Sequence, residues 1–335
     1  MPTPALPPLA FTPLPVDRPW GGAAAHALFE AGREPIAGGR PIGEWWLLSA
    51  RPDRASIVRG GPFAGSSLVD LIETRAEQVL GRRTAEAWTR RFPLLLKLLD
   101  TASPLSVQVH PSDAEIESKS ETWYVLAASA DACFWLGLRP GRTPEEVIER
   151  ARRGESPVEL LERHAARPGL VAHLPAGTIH ALGAGVVALE FQTNSDTTFR
   201  IWDWGRTPAR KLHLDDALRA ARRDQRPQTA LPPSGDERSP PSDRLAACDS
   251  YRVDRLRLAG PAHLATDGES FEALLPIGAP IRVAGPCGAA EVPRGHAVLV
   301  PAETADYVVT PDAPVELFRF VPNIRGAAPR VGVSG

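Results

Sequence analysis

Residues 105–111 read Leu-Ser-Val-Gln-Val-His-Pro, and residues 173–182 read His-Leu-Pro-Ala-Gly-Thr-Ile-His-Ala-Leu. The first stretch alternates strictly. Strand side chains change face at every residue, so Leu105, Val107 and Val109 point one way while Ser106, Gln108 and His110 point the other. Burying polar side chains unpaired costs about 1 to 3 kcal/mol each. That face therefore either meets solvent or its groups converge on a common target. In the second stretch Pro175 and Gly177 set a tight turn between strands, and the turn aims His180 back into the sheet. Between the two, Glu121 opens another strand-like run in Lys119-Ser-Glu-Thr-Trp-Tyr.

The surrounding chain is of the same kind. Its 35 prolines and 28 glycines cut 335 residues into short pieces, most of them runs of β-formers, the pattern of a sandwich or barrel. The length gives room for two domains or one two-lobed domain. Thirty-eight basic residues against 40 acidic ones give a net charge of −2. No long single-sign run exists, so the electrostatic footprint of a nucleic-acid binder is missing and any anionic ligand must be held locally. Cys133, Cys248 and Cys287 are widely spaced and form neither a disulfide framework nor a CxxC motif, which fits a reducing cytoplasm. The opening MPTPALPPLAFTPLP lacks a basic segment and is broken by proline, so no secretory signal is expected; a run of about 18 apolar residues for a membrane span is also missing. Lysine occurs only at 97, 119 and 211. In a chain this rich in arginine, a retained lysine marks a position where the two are not interchangeable.

Helices read as insertions. Ser67 is an N-cap for a stripe of Leu68, Leu71, Ile72, Val79 and Leu80, with Gly81 just past the end; residues 84–90 continue it more weakly. Thr143-Pro-Glu-Glu and Ser156-Pro-Val-Glu each offer an N-cap, a proline at N1 and a glutamate at N3, which predicts two short helices in a hairpin over 143–165. A last helical pattern covers 214–223, and the polar, proline-rich stretch 223–244 reads as a linker or exposed loop. Beyond it, LVPAETADYV (299–308) repeats HLPAGTIHAL (173–182), with Asp306 in the place of His180. The expected organisation is a catalytic barrel over 1–222 with helical insertions near 67–90 and 143–165, then a second, metal-free barrel over 245–335.

Counted from Gly169, the second stretch has the form G-x5-P-x-G-x2-H and resembles the second motif of the cupin superfamily. The first cupin motif gives H-x-H and a nearby Glu; Gln108-x-His110 and Glu121 stand in for it. Gln108, His110, Glu121 and His180 make a set of two nitrogen and two oxygen donors. Such a set suits a borderline divalent ion such as Zn2+, one per chain, with room for water or substrate.

Over nearly its whole length the chain resembles the type I mannose-6-phosphate isomerases, in the shorter bacterial form. The resemblance rests on Arg18-Pro-Trp-Gly-Gly, Ile42-Gly-Glu-Trp-Trp, Phe92-Pro-Leu-Leu-Leu-Lys, the 105–113 and 119–124 stretches, Pro175-Ala-Gly-Thr-Ile-His-Ala and, most specifically, Asn194-Ser-Asp-Thr-Thr-Phe-Arg-Ile-Trp-Asp-Trp-Gly-Arg. It departs at Trp45, where a smaller residue is usual, and at Ser120, which replaces threonine or proline. The resemblance implies a mainly β fold, a double jelly-roll of cupin barrels with a small α-helical insertion. It also implies zinc on Gln108, His110, Glu121 and His180, catalysis by Arg200, and roles for Lys119 and Asp196 in substrate binding and proton transfer.

The implied reaction interconverts mannose 6-phosphate and fructose 6-phosphate by moving a proton between C1 and C2 through an enediolate. A metal and a fixed cation would disperse the developing charge. Arg200 suits the second task, while Lys119 holds the phosphosugar or passes a proton and Ser106 hydrogen-bonds substrate or its neighbours. The base remains open among Asp196, Lys119 and a zinc-bound water. Arg200 has a plainer reading as the salt-bridge partner of Asp196, four residues away. Glu190 and Gln192 are expected to line the barrel, and His26, His164, His173, His213, His263 and His296 to be surface or packing residues. Two other functions fit the fold: an iron cupin dioxygenase, against which Gln108 and the 196–200 block argue, and a non-catalytic sugar-binding cupin, which would have lost ligands.

Overall fold

The computed structural model describes residues 5–29, 41–112, 118–232 and 241–324. It folds as a double jelly-roll of two antiparallel barrels. In the first barrel a seven-stranded sheet runs in the order Gln228–Ala230, Val171–Leu174, Glu121–Ala128, Val186–Thr193, Leu94–Thr101, Leu14–Gly22, Ile42–Leu48. It faces a five-stranded sheet in the order Leu161–Ala165, Cys133–Leu138, His180–Leu182, Val107–Val109, Phe199–Trp202. In the second barrel a six-stranded sheet (Leu9–Ala10, Val298–Val300, Glu272–Ile277, Val315–Pro322, Tyr251–Leu258, Ser242–Ala247) packs on a four-stranded one (Ala262–Ala265, Asp306–Pro311, Ile281–Gly285, Gly288–Val292).

The strand Leu94–Thr101 explains why one sequence can serve two cores. Leu94, Leu96 and Leu98 face outward and pack with Phe191, Tyr251, Phe318 and Phe320 between the barrels. Alternate residues turn inward, where Leu99 meets Trp123 and Val125. A strand buried on both faces reads as a continuous apolar run, and Leu-Leu-Leu-Lys-Leu-Leu is such a run with one inward exception, Lys97.

Three of the expected local features form. The helix Leu68–Leu80 (α1) is capped by Ser67, whose Oγ accepts the Asp70 N–H at 3.1 Å, and it stops at Gly81 with φ +84°. The helix Arg82–Ala87 (α2) follows directly. In Pro144–Arg152 (α3), Thr143 and Glu146 close the predicted capping box. The hairpin partner of α3 does not form. Ser156-Pro-Val-Glu yields only the single 3-10 turn Val158–Leu160, because the next residues, Leu161–Ala165, are taken up as an edge strand paired with Cys133–Leu138. The last helix, Leu214–Ala220 (α4), ends earlier than the pattern 214–223 suggested.

Two boundaries also differ from expectation. Leu9–Ala10 pairs with Val298–Val300, so the first described strand belongs to the second barrel, with Leu6, Leu9 and Phe11 buried in the core between the two. Gln228–Ala230, inside the expected linker, adds to the edge strand Val171–Leu174; residues 233–240 of that stretch lie outside the described residues. The repeated motif occupies equivalent turns, 175–179 and 301–305, each joining two strands, and Asp306 is exposed where His180 is buried. No helix among the described residues is long and apolar enough to cross a membrane.

The end of α1 ties the helical insertion to the second barrel. A Cβ on Gly81 would lie 2.3 Å from the Glu269 backbone, in a conformation that side chains rarely adopt. Gly81→Ala should therefore cost more than the loss of a helix cap, which is about 0.5–2 kcal/mol. Urea denaturation of Gly81→Ala beside Thr143→Ala checks this; equal losses would mean that the 269–270 loop yields freely.

Candidate metal centre and active-site cavity

Strand pairing assembles the site. Gln108 lies opposite both His180 and Arg200 on its two neighbouring strands, so His180, Gln108 and Arg200 form a row on the inner face of the five-stranded sheet. The facing sheet presents a second set, because Glu121 pairs with Gln192 while Glu190 pairs with both Trp123 and Lys97. Alternation along each strand thus turns every one of these polar groups inward and leaves the apolar ones for the flanking cores.

His110, Glu121 and His180 are all buried, and their donor atoms lie within 4.8 Å of one another; among the described residues they are the group of this kind. The imidazole Nδ1 atoms are engaged behind the site, His110 with the Thr197 carbonyl at 2.9 Å and His180 with the Thr178 carbonyl at 2.8 Å. With Nδ1–H donating, each Nε2 lone pair is directed inward, the arrangement that orients a histidine for metal. His110 Nε2 sits 3.3 Å and His180 Nε2 3.2 Å from the Glu121 oxygens. Burial pushes both imidazoles toward the neutral form, His180 down to about 4, and Lys119 adds to the effect at His110. Two neutral lone pairs facing a carboxylate repel it unless a cation sits among them. Both Glu121 oxygens are buried and accept no hydrogen bond. The donor set, around a carboxylate that the Lys119 ammonium faces at 3.0 Å but that accepts no hydrogen bond, fits a divalent cation.

Gln108 lies beside this group with its amide nitrogen 3.2 Å from His180 Nε2 and its Oε1 accepting from Ser106 at 3.1 Å. Rotating the amide by half a turn would present Oε1 instead, since the two ends of the group are nearly equal in shape. Lys119 Nζ is 3.0 Å from Glu121 Oε2 and 3.3 Å from His110 Nε2. Burial opposes ionisation of Glu121, but the Lys119 ammonium holds its carboxyl well below the usual range.

A cavity of about 270 Å³ opens beside the cluster, with Ser106, Gln108, Lys119, Asp196 and Arg200 in its wall. Sequence reasoning missed a buried charge network in the same wall. Glu44 accepts both arms of the Arg18 guanidinium at 2.9 and 3.0 Å and the Trp46 indole N–H at 2.8 Å. Lys97 Nζ lies 3.6 Å from Glu44, 3.8 Å from Glu190 and 2.9 Å from Asp196, with the Trp46 ring 4.7 Å away. Against the cost of burial, Lys97 and Arg18 hold Glu44 down at about 2, while the three carboxylates raise Lys97. Glu190 behaves oppositely: burial pushes it up to about 7. The signal for Lys97 was present as the one polar residue in an apolar run; nothing local marked Glu44 as its partner or Arg18 as the partner of Glu44.

Asp196 pairs with Lys97 rather than with Arg200. Arg200 donates Nη1 to the Lys211 carbonyl at 2.8 Å, and its Nε is buried without a partner. His213 packs on Phe199, and its Nδ1 accepts the Arg200 backbone N–H at 3.1 Å.

Comparison with known proteins agrees with this construction. The family model for the catalytic domain of type I phosphomannose isomerase matches residues 14–130. Mannose-6-phosphate isomerase ManA of Bacillus subtilis is 34% identical over 268 residues, 77% of this chain and 81% of that protein. The mannose-6-phosphate isomerase of Streptococcus mutans is 35% identical over 186 residues, 52% of this chain and 57% of its own length. A crystal structure of the mannose 6-phosphate isomerase from Bacillus subtilis covers 94% of this chain and 99% of its own, with a TM-score of 0.79 at 27% identity. A relative that is one-third identical across four-fifths of its length, with the same fold throughout, shows that the chain belongs to the type I phosphomannose isomerase family.

Proposed function

We propose that the protein is a metal-dependent aldose–ketose isomerase that interconverts mannose 6-phosphate and fructose 6-phosphate. The observation that carries this reading is a cavity with five cations and three carboxylates in its wall, opening beside a buried His-Glu-His cluster whose carboxylate has no hydrogen bond. His110, Glu121 and His180 would hold the ion, with Gln108 as a fourth donor once its amide turns. Zinc fits this mixture of nitrogen and oxygen ligands, and when bound it supplies a Lewis acid at that end of the cavity.

The chain's own groups do the rest. Arg200 is always charged and offers an unspent Nε, which suits an oxygen that becomes negative as the C–H proton leaves. Lys119 and Ser106 bind substrate oxygens beside it. Two carboxyls face the cavity in opposite states: Asp196 is kept ionised by Lys97 in spite of burial, and burial keeps Glu190 near 7. Environments that split two carboxyls in this way suit one for accepting a proton and the other for returning it. Lys97, enclosed by three carboxylates, fixes Asp196 in place as a permanent cation.

Formation of fructose 6-phosphate from mannose 6-phosphate by the purified protein, abolished by a chelator and restored by zinc, is the expected result. No turnover with zinc bound at one per chain would discard the substrate and keep the site. His110→Ala and His180→Ala should each lose bound metal, measured by elemental analysis after dialysis, together with activity. Arg200→Ala should keep its metal and lose about 10²- to 10³-fold in kcat; an Arg200→Ala enzyme as fast as the parent would remove the proposed role.

A further inference from the structure

We propose that Gln192 is a positioning residue of the active site: its buried carboxamide fixes the turn 193–197, which presents Asp196 to the cavity and orients His110 toward the metal position. The Asp196 part rests on the isomerase reading above, whereas the His110 part rests on the ligand geometry alone. Gln192 is fully buried. It lies on the strand Val186–Thr193, where its backbone sits opposite Glu121 on one neighbouring strand and Leu95 on the other. A residue held by ladders on both sides gives its side chain a fixed base.

From that base the amide nitrogen reaches into the turn. Nε2 donates to the Thr193 carbonyl at 3.0 Å and to the Ser195 carbonyl at 2.5 Å. These two contacts settle which way the amide points. Half a turn would set Oε1 against the same two carbonyls, acceptor against acceptor, so Gln192 has one orientation where Gln108 has two. Oε1 is left buried without a hydrogen bond. A buried acceptor without a donor is costly, and here it is the consequence of keeping both amide hydrogens on the turn.

The Ser195 carbonyl immediately precedes Asp196, whose carboxylate accepts from Lys97 Nζ at 2.9 Å in the cavity wall. One residue further on, the Thr197 N–H donates to Ser195 Oγ at 3.4 Å, and the Thr197 carbonyl meets His110 Nδ1 at 2.9 Å, the contact that directs His110 Nε2 inward. Thr193 adds a third tie. Its N–H donates to the Ser120 carbonyl at 3.2 Å and its hydroxyl to the Ser118 carbonyl at 3.1 Å, on either side of Lys119. The turn thus joins the Asp196 carboxyl, a ligand histidine and the segment of Lys119. It lies outside the strand ladders, which end at Thr193 and resume at Phe199. Asn194 anchors its start through Nδ2 on the Phe92 carbonyl at 2.9 Å, and Gln192 anchors its middle. Without the second anchor, the placement of Asp196 and Thr197 would depend on backbone that no ladder restrains.

The test compares Gln192→Met, which keeps the size and removes both donors, with Phe191→Leu, which trims the adjacent side chain in the core between the barrels. Zinc affinity is read by competition with a chelator, kcat and KM from mannose 6-phosphate isomerisation, and folding by urea denaturation. Gln192→Met should bind zinc about 10-fold more weakly and, at saturating zinc, should lose about 10- to 100-fold in kcat while KM changes less than about threefold. Phe191→Leu should lower the urea midpoint and keep the parental zinc affinity and kcat. Parental zinc affinity in Gln192→Met would overturn the link to His110, and parental kcat the link to Asp196. A loss of zinc affinity in Phe191→Leu equal to that in Gln192→Met would overturn the positioning role altogether, since any loosening of the barrel would then suffice. Should the methionine variant fail to fold, Gln192→Asn, one methylene short of the Ser195 carbonyl, carries the same expectations. A parent that binds zinc yet leaves mannose 6-phosphate unchanged would defeat the isomerase reading, and the zinc affinity of Gln192→Met would still decide the link to His110.

Discussion

Burying an ionised carboxylate costs several kcal/mol unless positive charge and hydrogen bonds face it, and Glu121 is buried with no hydrogen bond to either oxygen. What it has instead is an ammonium at 3.0 Å and two imidazole nitrogens at 3.2 and 3.3 Å. Much of the first barrel can be understood as serving this one group. The backbone carbonyls of Thr178 and Thr197 set the histidine tautomers, the Pro175–Ile179 turn carries His180 into line, and strand pairing puts Gln108 next to it. A cation at the centre would resolve the conflict between the lone pairs and the carboxylate, which is why the cluster reads as a ligand set rather than as a salt bridge.

The cavity beside it separates its charges. On the side of the seven-stranded sheet, Glu44, Asp196 and Glu190 surround Lys97, so the cations there are matched. From the 200–210 segment, Arg200 and Arg210 line the cavity, and the one carboxylate there, Asp203, pairs with Arg206 and Arg210. Such pairing limits how the protein can change, since removing one member of a buried ion pair leaves its partner uncompensated, at a cost of about 3–5 kcal/mol. Replacing Glu44 alone would therefore disturb Arg18, Trp46 and Lys97 together.

The second barrel repeats the architecture of the first. Its turn at 301–305 matches that at 175–179, yet the position of His180 is held by an exposed aspartate. The second barrel packs against the first. The strand Glu121–Ala128 is backed by the second barrel through Tyr124 against Phe318 and through the Thr122 to Tyr251 hydrogen bond at 2.9 Å. The strand that presents Glu121 is thereby held from behind by the other half of the molecule.

What the sequence by itself determined is whatever a local pattern encodes. Period-two alternation in 105–110 assigned faces to Gln108 and His110; Pro-x-Gly-x-x-His placed a turn before His180; Ser67, Gly81 and the Thr143 capping box marked helix ends. Family resemblance carried Arg200 and Asp196 to the cavity wall. The tertiary structure decided what depends on partners distant in the chain. The Ser156 capping pattern lost to strand pairing with Cys133–Leu138, because a ladder of backbone hydrogen bonds outweighs the few intrahelical bonds one short turn can make. The linker gave up Gln228–Ala230 to an unfilled sheet edge for the same reason. Asp196 turned to Lys97 instead of Arg200, and Glu44 and Arg18 joined the site, because charge pairing in a barrel interior is set by which strands lie side by side. Local sequence carries the period of each strand, but its neighbours are chosen by burial of the whole chain.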